Sequence, residues 1–110
     1  MPAANQLIAP LVIRAVIGRG WGQSARHSKS LHSLFAHIPG LKVVMPTTPN
    51  DAKGLLASAI RDDNPVVFLE HRWLYDITDE VDTDPDVNSL LGQPAHRHSG
   101  SDLTVVAVSW

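Results

Sequence analysis

The chain has 110 residues, 44% apolar and 18% charged, and a formal net charge of −2, enough for one domain around a modest core. It lacks the basic stripe of a nucleic-acid binder, and with no cysteine it has neither disulfides nor thiolate metal sites. No apolar run approaches the roughly 18 residues of a membrane span, and Met1–Gln6 has neither the basic start nor the apolar core of a signal peptide. The expectation is a cytoplasmic protein with no nucleic-acid or membrane partner.

Leu11–Ile17 reads as the first strand, a short run rich in β-branched residues. The loop Gly18–His27 follows. Its glycines permit tight turns, but Gln23 stands where a G-x-G-x-x-G phosphate cradle needs glycine, and no G-K-[ST] follows. On its residues alone the loop reads first as a flexible connection. His27 closes it, just before a helical pattern. A helix N-terminus disfavours added positive charge, and a neutral imidazole both donates and accepts, which suits proton transfer. A solvated loop histidine is the simpler reading. His27, His32 and His37 are five apart and do not share a helix face, and His96-x-His98 lies in a stretch without acidic or thiolate partners at a metal-site spacing.

Leu31, Leu34, Phe35 and Ile38 fall at i, i+3, i+4 and i+7, one face of a helix that Pro39-Gly40 stops. Leu41–Met45 is the second strand, fenced by Gly40 and Pro46. The second helix has a clear start: Thr48 as N-cap, Pro49 at the first helical position and Asp51 in the first turn. Its apolar stripe is Ala52, Leu55, Leu56, Ala59 and Ile60, and Gly54 within it points to a close approach between helix and strand. The helix closes at Ala59–Asn64, where carbonyls lack ladder partners. Capping or water is their usual fate, although converging oxygens can hold a hard cation. Val66–Glu70, after Pro65, is the third strand.

Strand, helix, strand, helix, strand predicts an α/β fold with a parallel sheet, its helices on the faces and its strands covered on both sides. From Asp76 the character changes to an acidic stretch and then to His96–Ser101, read as a linker. Leu103–Val108 is a fourth β-prone run. The expected organisation is a partial domain over residues 1–76, a linker over 77–102, and the first strand of a further domain over 103–110.

Pro10–Arg14, Arg26–Leu31, Phe35–Pro46, Asp51–Leu56, Ala59–Asp62, Asn64–Glu70 and Leu74-Tyr75 closely resemble segments of the β subunits of thiamin-diphosphate-dependent 2-oxo acid dehydrogenase first components. Residues 101–109 resemble the first strand of that family's C-terminal transketolase-like domain. The resemblance implies a transketolase-like pyrimidine-binding domain, here without the family's leading strands. In the family an α subunit holds the diphosphate and magnesium, the β domain holds the aminopyrimidine, and the acyl group passes to a lipoyl-bearing acyltransferase. The cofactor supplies the carbanion chemistry.

Carried over by position, His27 matches the active-site histidine of the family's His-Ser-Gln motif, with Lys29 in place of the glutamine. Ala15-Val16 replace the commoner Gly-Pro. Leu11, Ala59, Ile60, Asp62 and Asn64 match positions whose carbonyls bind a structural potassium ion. The family's cofactor-activating glutamate and stacking aromatics lie upstream of the Arg14 strand. Only thirteen residues precede Arg14 here, and none is Glu, Phe, Tyr or Trp. The expectation is a β-subunit fragment that is inactive by itself. The alternatives are a non-catalytic homo-oligomeric module, most simply a homodimer, and an independent small α/β ligand binder.

Overall fold

A computed structural model describes residues 8–18, 22, 24–84 and 89–109, with His27 described by its backbone only. Three strands, β1 (Val12–Ile17), β2 (Lys42–Val44) and β3 (Val66–His71), form one parallel sheet in the order β1-β3-β2. The register sets Val12 and Lys42 on either side of Val66, and Val44 opposite Phe68. β2 is short for a local reason. Gly40 enters it at φ +88°, a left-handed conformation that suits glycine, and Pro46 follows closely with no N–H to give a ladder.

Helix α2 (Pro49–Arg61) covers one face of the sheet. Its start is the expected one. The Thr48 side chain accepts from the Asp51 N–H at 3.1 Å, and the Asp51 carboxylate accepts from the Thr48 N–H at 3.2 Å, a reciprocal capping box. Ala59 is buried, while Leu55 and Leu56 pack beside Val44, Val66 and Phe68. Ile60, expected on the same stripe, is exposed, because the stripe is wider than the three-stranded sheet beneath it. On the other face Ile17, Val67 and Leu69 form a second cluster with Ala15, Phe35, Leu41, Val43 and Met45. Both clusters meet on β3, where Val66, Val67, Phe68 and Leu69 are successive buried residues. Burying each contributes roughly 1.5–3 kcal/mol, so β3 is the spine of the domain.

Several expectations are corrected. The first helix, α1, spans only His32–Ala36. Phe35 alone of its apolar face reaches the core, and Leu31, Leu34 and Ile38 stay exposed. Its N-cap, Leu31, makes no side-chain capping bond, so nothing holds the first turn as Thr48 holds that of α2. β1 is not covered on both faces, since Ile13, Arg14 and Val16 are exposed. Gly54 is buried, but a side chain there would meet Ser89, whose Oγ would lie 2.4 Å from the added carbon, and not a strand. Leu103–Val108 takes part in no ladder among the described residues and is exposed throughout; β-branched composition does not make a strand without a neighbour to pair with.

Residues 77–84 and 89–102 carry no regular secondary structure but are tied to α2. Lys53 donates to the carbonyls of Asp82 and Asp84, Asn50 accepts from the Asp82 N–H, and Ser58 donates to the Ser89 carbonyl.

Candidate functional site

Parallel sheets present their ligand-binding groups at the carboxyl ends of the strands. The structure has a concavity of about 200 Å³ there. Pro46, Thr47, Thr48 and Pro49 come from the β2–α2 turn, Ala52 from α2, and Glu70 and His71 from the end of β3. Leu74, Tyr75 and Ile77 close it from the chain that follows, which leaves β3 through a 3-10 turn, Arg72–Leu74.

Both oxygens of the Glu70 carboxylate are hydrogen-bonded. Arg14, from the neighbouring β1, donates its Nε to Oε1 at 2.9 Å, and the Tyr75 hydroxyl donates to Oε2 at 2.9 Å. Burial, with help from the Glu70 charge it donates to, pushes the Tyr75 hydroxyl pKa up, so it remains a donor. His71 accepts at Nδ1 from the Trp73 N–H at 3.3 Å. Its ring lies where a side chain on Gly18 would go: an added carbon would meet the imidazole at 2.7 to 3.0 Å, and Gly18 has φ +106°. Only glycine fits there.

Asp51 does not line the cavity but holds Thr47 and Thr48 of the opposite wall. Besides closing the capping box, it accepts from the Thr47 hydroxyl at 2.6 Å and pairs with Arg97. Arg97 also donates to the Thr47 hydroxyl at 2.7 Å. Partial burial raises the Asp51 pKa, but the hydrogen bonds from Thr47 and Thr48 and the Arg97 charge outweigh it, and the net shift is downward. The bonds to the Asp51 carboxylate all fall on Oδ2, whereas Glu70 accepts on both of its oxygens.

None of the positions read from the resemblance lines this cavity. His27 ends a 3-10 turn, Ala25–His27, in the loop that follows the carboxyl end of β1, and its side chain lies outside the described residues. Leu11, Ala59, Ile60, Asp62 and Asn64 gather at the amino ends of the strands, opposite to the cavity. The Leu11 carbonyl accepts from the Val66 N–H at 2.8 Å, and the Ala59 carbonyl from the Asp62 N–H at 3.4 Å. Asp62 accepts from the Asn64 N–H and side-chain amide at 2.8 and 2.9 Å and pairs with Lys42. The Lys42 and Asn64 bonds hold its pKa down, at about 2. The Ile60 side chain points into solvent. Among the described residues no group of three or more His, Asp or Glu is placed to hold a metal ion.

Reading the sequence alone did not single out Glu70, Tyr75, Arg14 or Arg97 as a network, since their partners lie far apart in the chain. One local signal was present: Glu70-His71 closes a run of four apolar residues, which puts polar groups at the carboxyl end of a buried strand.

Residues 1–78 match the family model described as the transketolase, pyrimidine binding domain. The chain belongs to this pyrimidine-binding-domain family. The parallel sheet with flanking helices agrees with it. Among curated relatives, the acetoin:2,6-dichlorophenolindophenol oxidoreductase subunit beta of Cupriavidus necator is 58% identical over 72 residues, covering 66% of this chain and 21% of the relative. The 2-oxoisovalerate dehydrogenase subunit beta of Bacillus subtilis is 42% identical over 122 residues, covering 96% of this chain and 37% of the relative. The pyruvate dehydrogenase E1 component subunit beta of Rhizobium meliloti is 44% identical over 105 residues, covering 96% and 23%. This member of the family thus resembles the β subunits of 2-oxo acid dehydrogenases, and spans between 21% and 37% of the length of these relatives. Among the described residues no helix is long and apolar enough to cross a membrane.

Proposed function

We propose that this chain supplies part of the pyrimidine-binding side of a thiamin-diphosphate-dependent dehydrogenase β subunit in the cytoplasm, and that the 110-residue polypeptide has no turnover by itself. The family match carries the first half of this reading. Glu70, held on one oxygen by Arg14 and on the other by Tyr75, supports the second, because an aminopyrimidine needs a carboxyl group free to share its proton and general acid–base assistance is worth about 10²–10⁴-fold. The residues described here do not fit the cofactor alone. Its remaining contacts, and those to magnesium, come from other segments and from an α subunit; acyl transfer involves a lipoyl-bearing acyltransferase. His27 is the residue proposed to handle substrate.

The test is an assay of the purified chain with pyruvate or 2-oxoisovalerate, thiamin diphosphate, magnesium and an artificial electron acceptor. No turnover and no calorimetric binding of thiamin diphosphate are expected. Measurable turnover overturns the reading of inactivity. The 58% identity to an acetoin oxidoreductase subunit favours a second reading of the substrate, acetoin in place of a 2-oxo acid. The two part in which α subunit retains the chain on co-expression, that of an acetoin system or that of a 2-oxo acid dehydrogenase.

A potassium ion is proposed at the amino ends of the strands. The carbonyls of Leu11 and Ala59 each accept one hydrogen bond and keep a second lone pair, whereas the Asp62 carboxylate is already filled by Lys42 and Asn64. The proposal predicts a melting temperature higher in potassium than in sodium chloride at equal ionic strength. Identical melting in the two salts sinks it.

A homodimer is the proposed state of the isolated chain. β1 lies at an edge of the sheet with Ile13 and Val16 exposed, and unpaired edges favour association. Light scattering that finds a monomer at every soluble concentration removes this reading.

A further inference from the structure

We infer that the dimer forms by strand exchange, Leu103–Val108 of each copy adding to the β1 edge of the other; this rests on the homodimer reading above. Among the described residues β1 pairs with β3 on one side and has no ladder partner on the other. It presents six residues, and the tail run Leu103–Val108 matches it in length. That run is β-branched-rich, uncharged and 74 to 84% exposed at Leu103, Val105 and Val106. Among the described residues of its own copy it pairs with nothing, so these residues carry one open edge and one unused strand.

The tail is lightly held. Past the Arg97 contact with Thr47 and Asp51, the tertiary hydrogen bond described for it is a long one, from the Ser109 hydroxyl to the Pro46 carbonyl at 3.4 Å. Ser109 makes that contact at φ +60°, in the left-handed region that non-glycine residues avoid. Release therefore gives up little. The alternative acceptor, β2, is only three residues long, and Leu90, Gly92, Gln93 and Pro94 already line a depression beside it with Val43 and Val44. That leaves β1 as the edge to be extended.

Exchange also answers a question of area. A six-residue strand is about 20 Å long and a sheet layer about 10 Å thick, so one addition covers roughly 200 Å² on each partner. Two reciprocal additions bring the total near 800 Å², below the roughly 1,200 Å² of stable specific interfaces and within the range of weak, transient ones. A single edge-to-edge contact would cover half of that. A weak, concentration-dependent dimer is the expected product, closed by a two-fold axis, as domain exchange between identical copies generally is.

The chain has no cysteine, so single cysteines report contact cleanly. Ile13→Cys and Val105→Cys, both at exposed positions, are purified separately, mixed, and treated with a short bismaleimide. The expected product is a heterodimer that grows with protein concentration and exceeds the yield from Leu34→Cys mixed with Val105→Cys by at least about tenfold. A dimer by light scattering with no enrichment at Ile13 overturns strand exchange while the homodimer stands. A monomer at every concentration overturns both. In a doubly substituted chain, cross-linking within one copy that excess unsubstituted protein does not dilute would also overturn exchange, because it would place the tail on its own β1.

Discussion

β1 and β3 are neighbours in one ladder, equal in length and each with charged or polar residues among its apolar ones, yet they live in different environments. Val66 to Leu69 of β3 are at most 2% exposed, whereas Ile13 and Val16 of β1 are 47% and 49% exposed. The residue types do not explain this, since isoleucine and valine are as apolar as the residues buried on β3. Position does. β3 is the central strand with a cluster on each face, and β1 is an edge that α2 touches mainly through Val12. Burial in a small sheet is therefore assigned by strand order, and the energetics should follow order and not composition.

The largest effect expected from this comparison is at Phe68. It is 1% exposed beneath α2, and Phe68→Ala should cost about 3–5 kcal/mol through lost transfer energy and the cavity left behind. Val16→Ala on β1 should cost no more than about 0.5 kcal/mol, as surface changes usually do. Urea unfolding midpoints of the two variants measure the difference. Equal losses would mean that β1 is covered in solution, and a concentration dependence of the Val16→Ala loss would trace that cover to a second copy.

Strand order is also what sequence reading lacks. The three strands, their parallel sense and the capped start of α2 were legible because each is written locally: apolar runs fenced by glycine and proline, and Thr48-Pro49 with Asp51 one turn on. The face of each strand left open was not, since it depends on which strand sits in the middle. α1 shows the same limit. Leu31, Leu34, Phe35 and Ile38 have helical spacing, but the small sheet offers room for Phe35 alone. Leu103–Val108 has the composition of a strand and no ladder partner among the described residues. At the carboxyl edge, Arg14–Glu70 and Arg97–Asp51 join residues distant in sequence, and no local pattern announces such pairs.

A smaller effect tests whether the start of α2 is as firmly built as β3. Thr48→Ala removes one side of the capping box and should cost about 1 kcal/mol. Asp51 would lose a hydrogen bond as well, so its pKa should rise toward the ordinary carboxylate range, readable by NMR titration. A cost well below this would show that Thr47 and Arg97 hold Asp51 without the cap.

The pH dependence contrasts the ends of the strands. Asp62, at the amino end, has its pKa lowered from 3.8 to about 2, first by Lys42 and then by Asn64. A carboxylate lowered on folding contributes stability that is complete above its unfolded value and is lost as pH falls through the folded one. Stability should therefore be flat above pH ~4 and fall toward pH ~2. Lys42→Met should flatten that limb. It should not abolish it, because Asp51 is lowered in the same sense. An unchanged slope would show that Lys42 and Asp62 are not paired in solution.

The smallest effect on global stability is expected at Gly54, where helix propensity and packing oppose each other. Gly54→Ala should favour α2 by about 1 kcal/mol. The added carbon, however, would stand 2.4 Å from the Ser89 hydroxyl oxygen and 3.3 Å from both its Cβ and its backbone nitrogen. Rotating the hydroxyl away removes the closest contact, but the other two require the backbone to retreat. Retreat strains the bonds that Ser89 makes to the Gly54 carbonyl at 3.4 Å and to the Ser58 hydroxyl at 2.7 Å. The two effects should nearly cancel in the unfolding midpoint, while the chain around Ser89 loosens from the helix. Limited proteolysis should then cut near Ser89 faster than in the parent, and Gly54→Ala combined with Ser89→Gly should recover the helix gain. A variant that is more stable and cut no faster would show that the segment rests on α2 less closely than the packing at Gly54 requires.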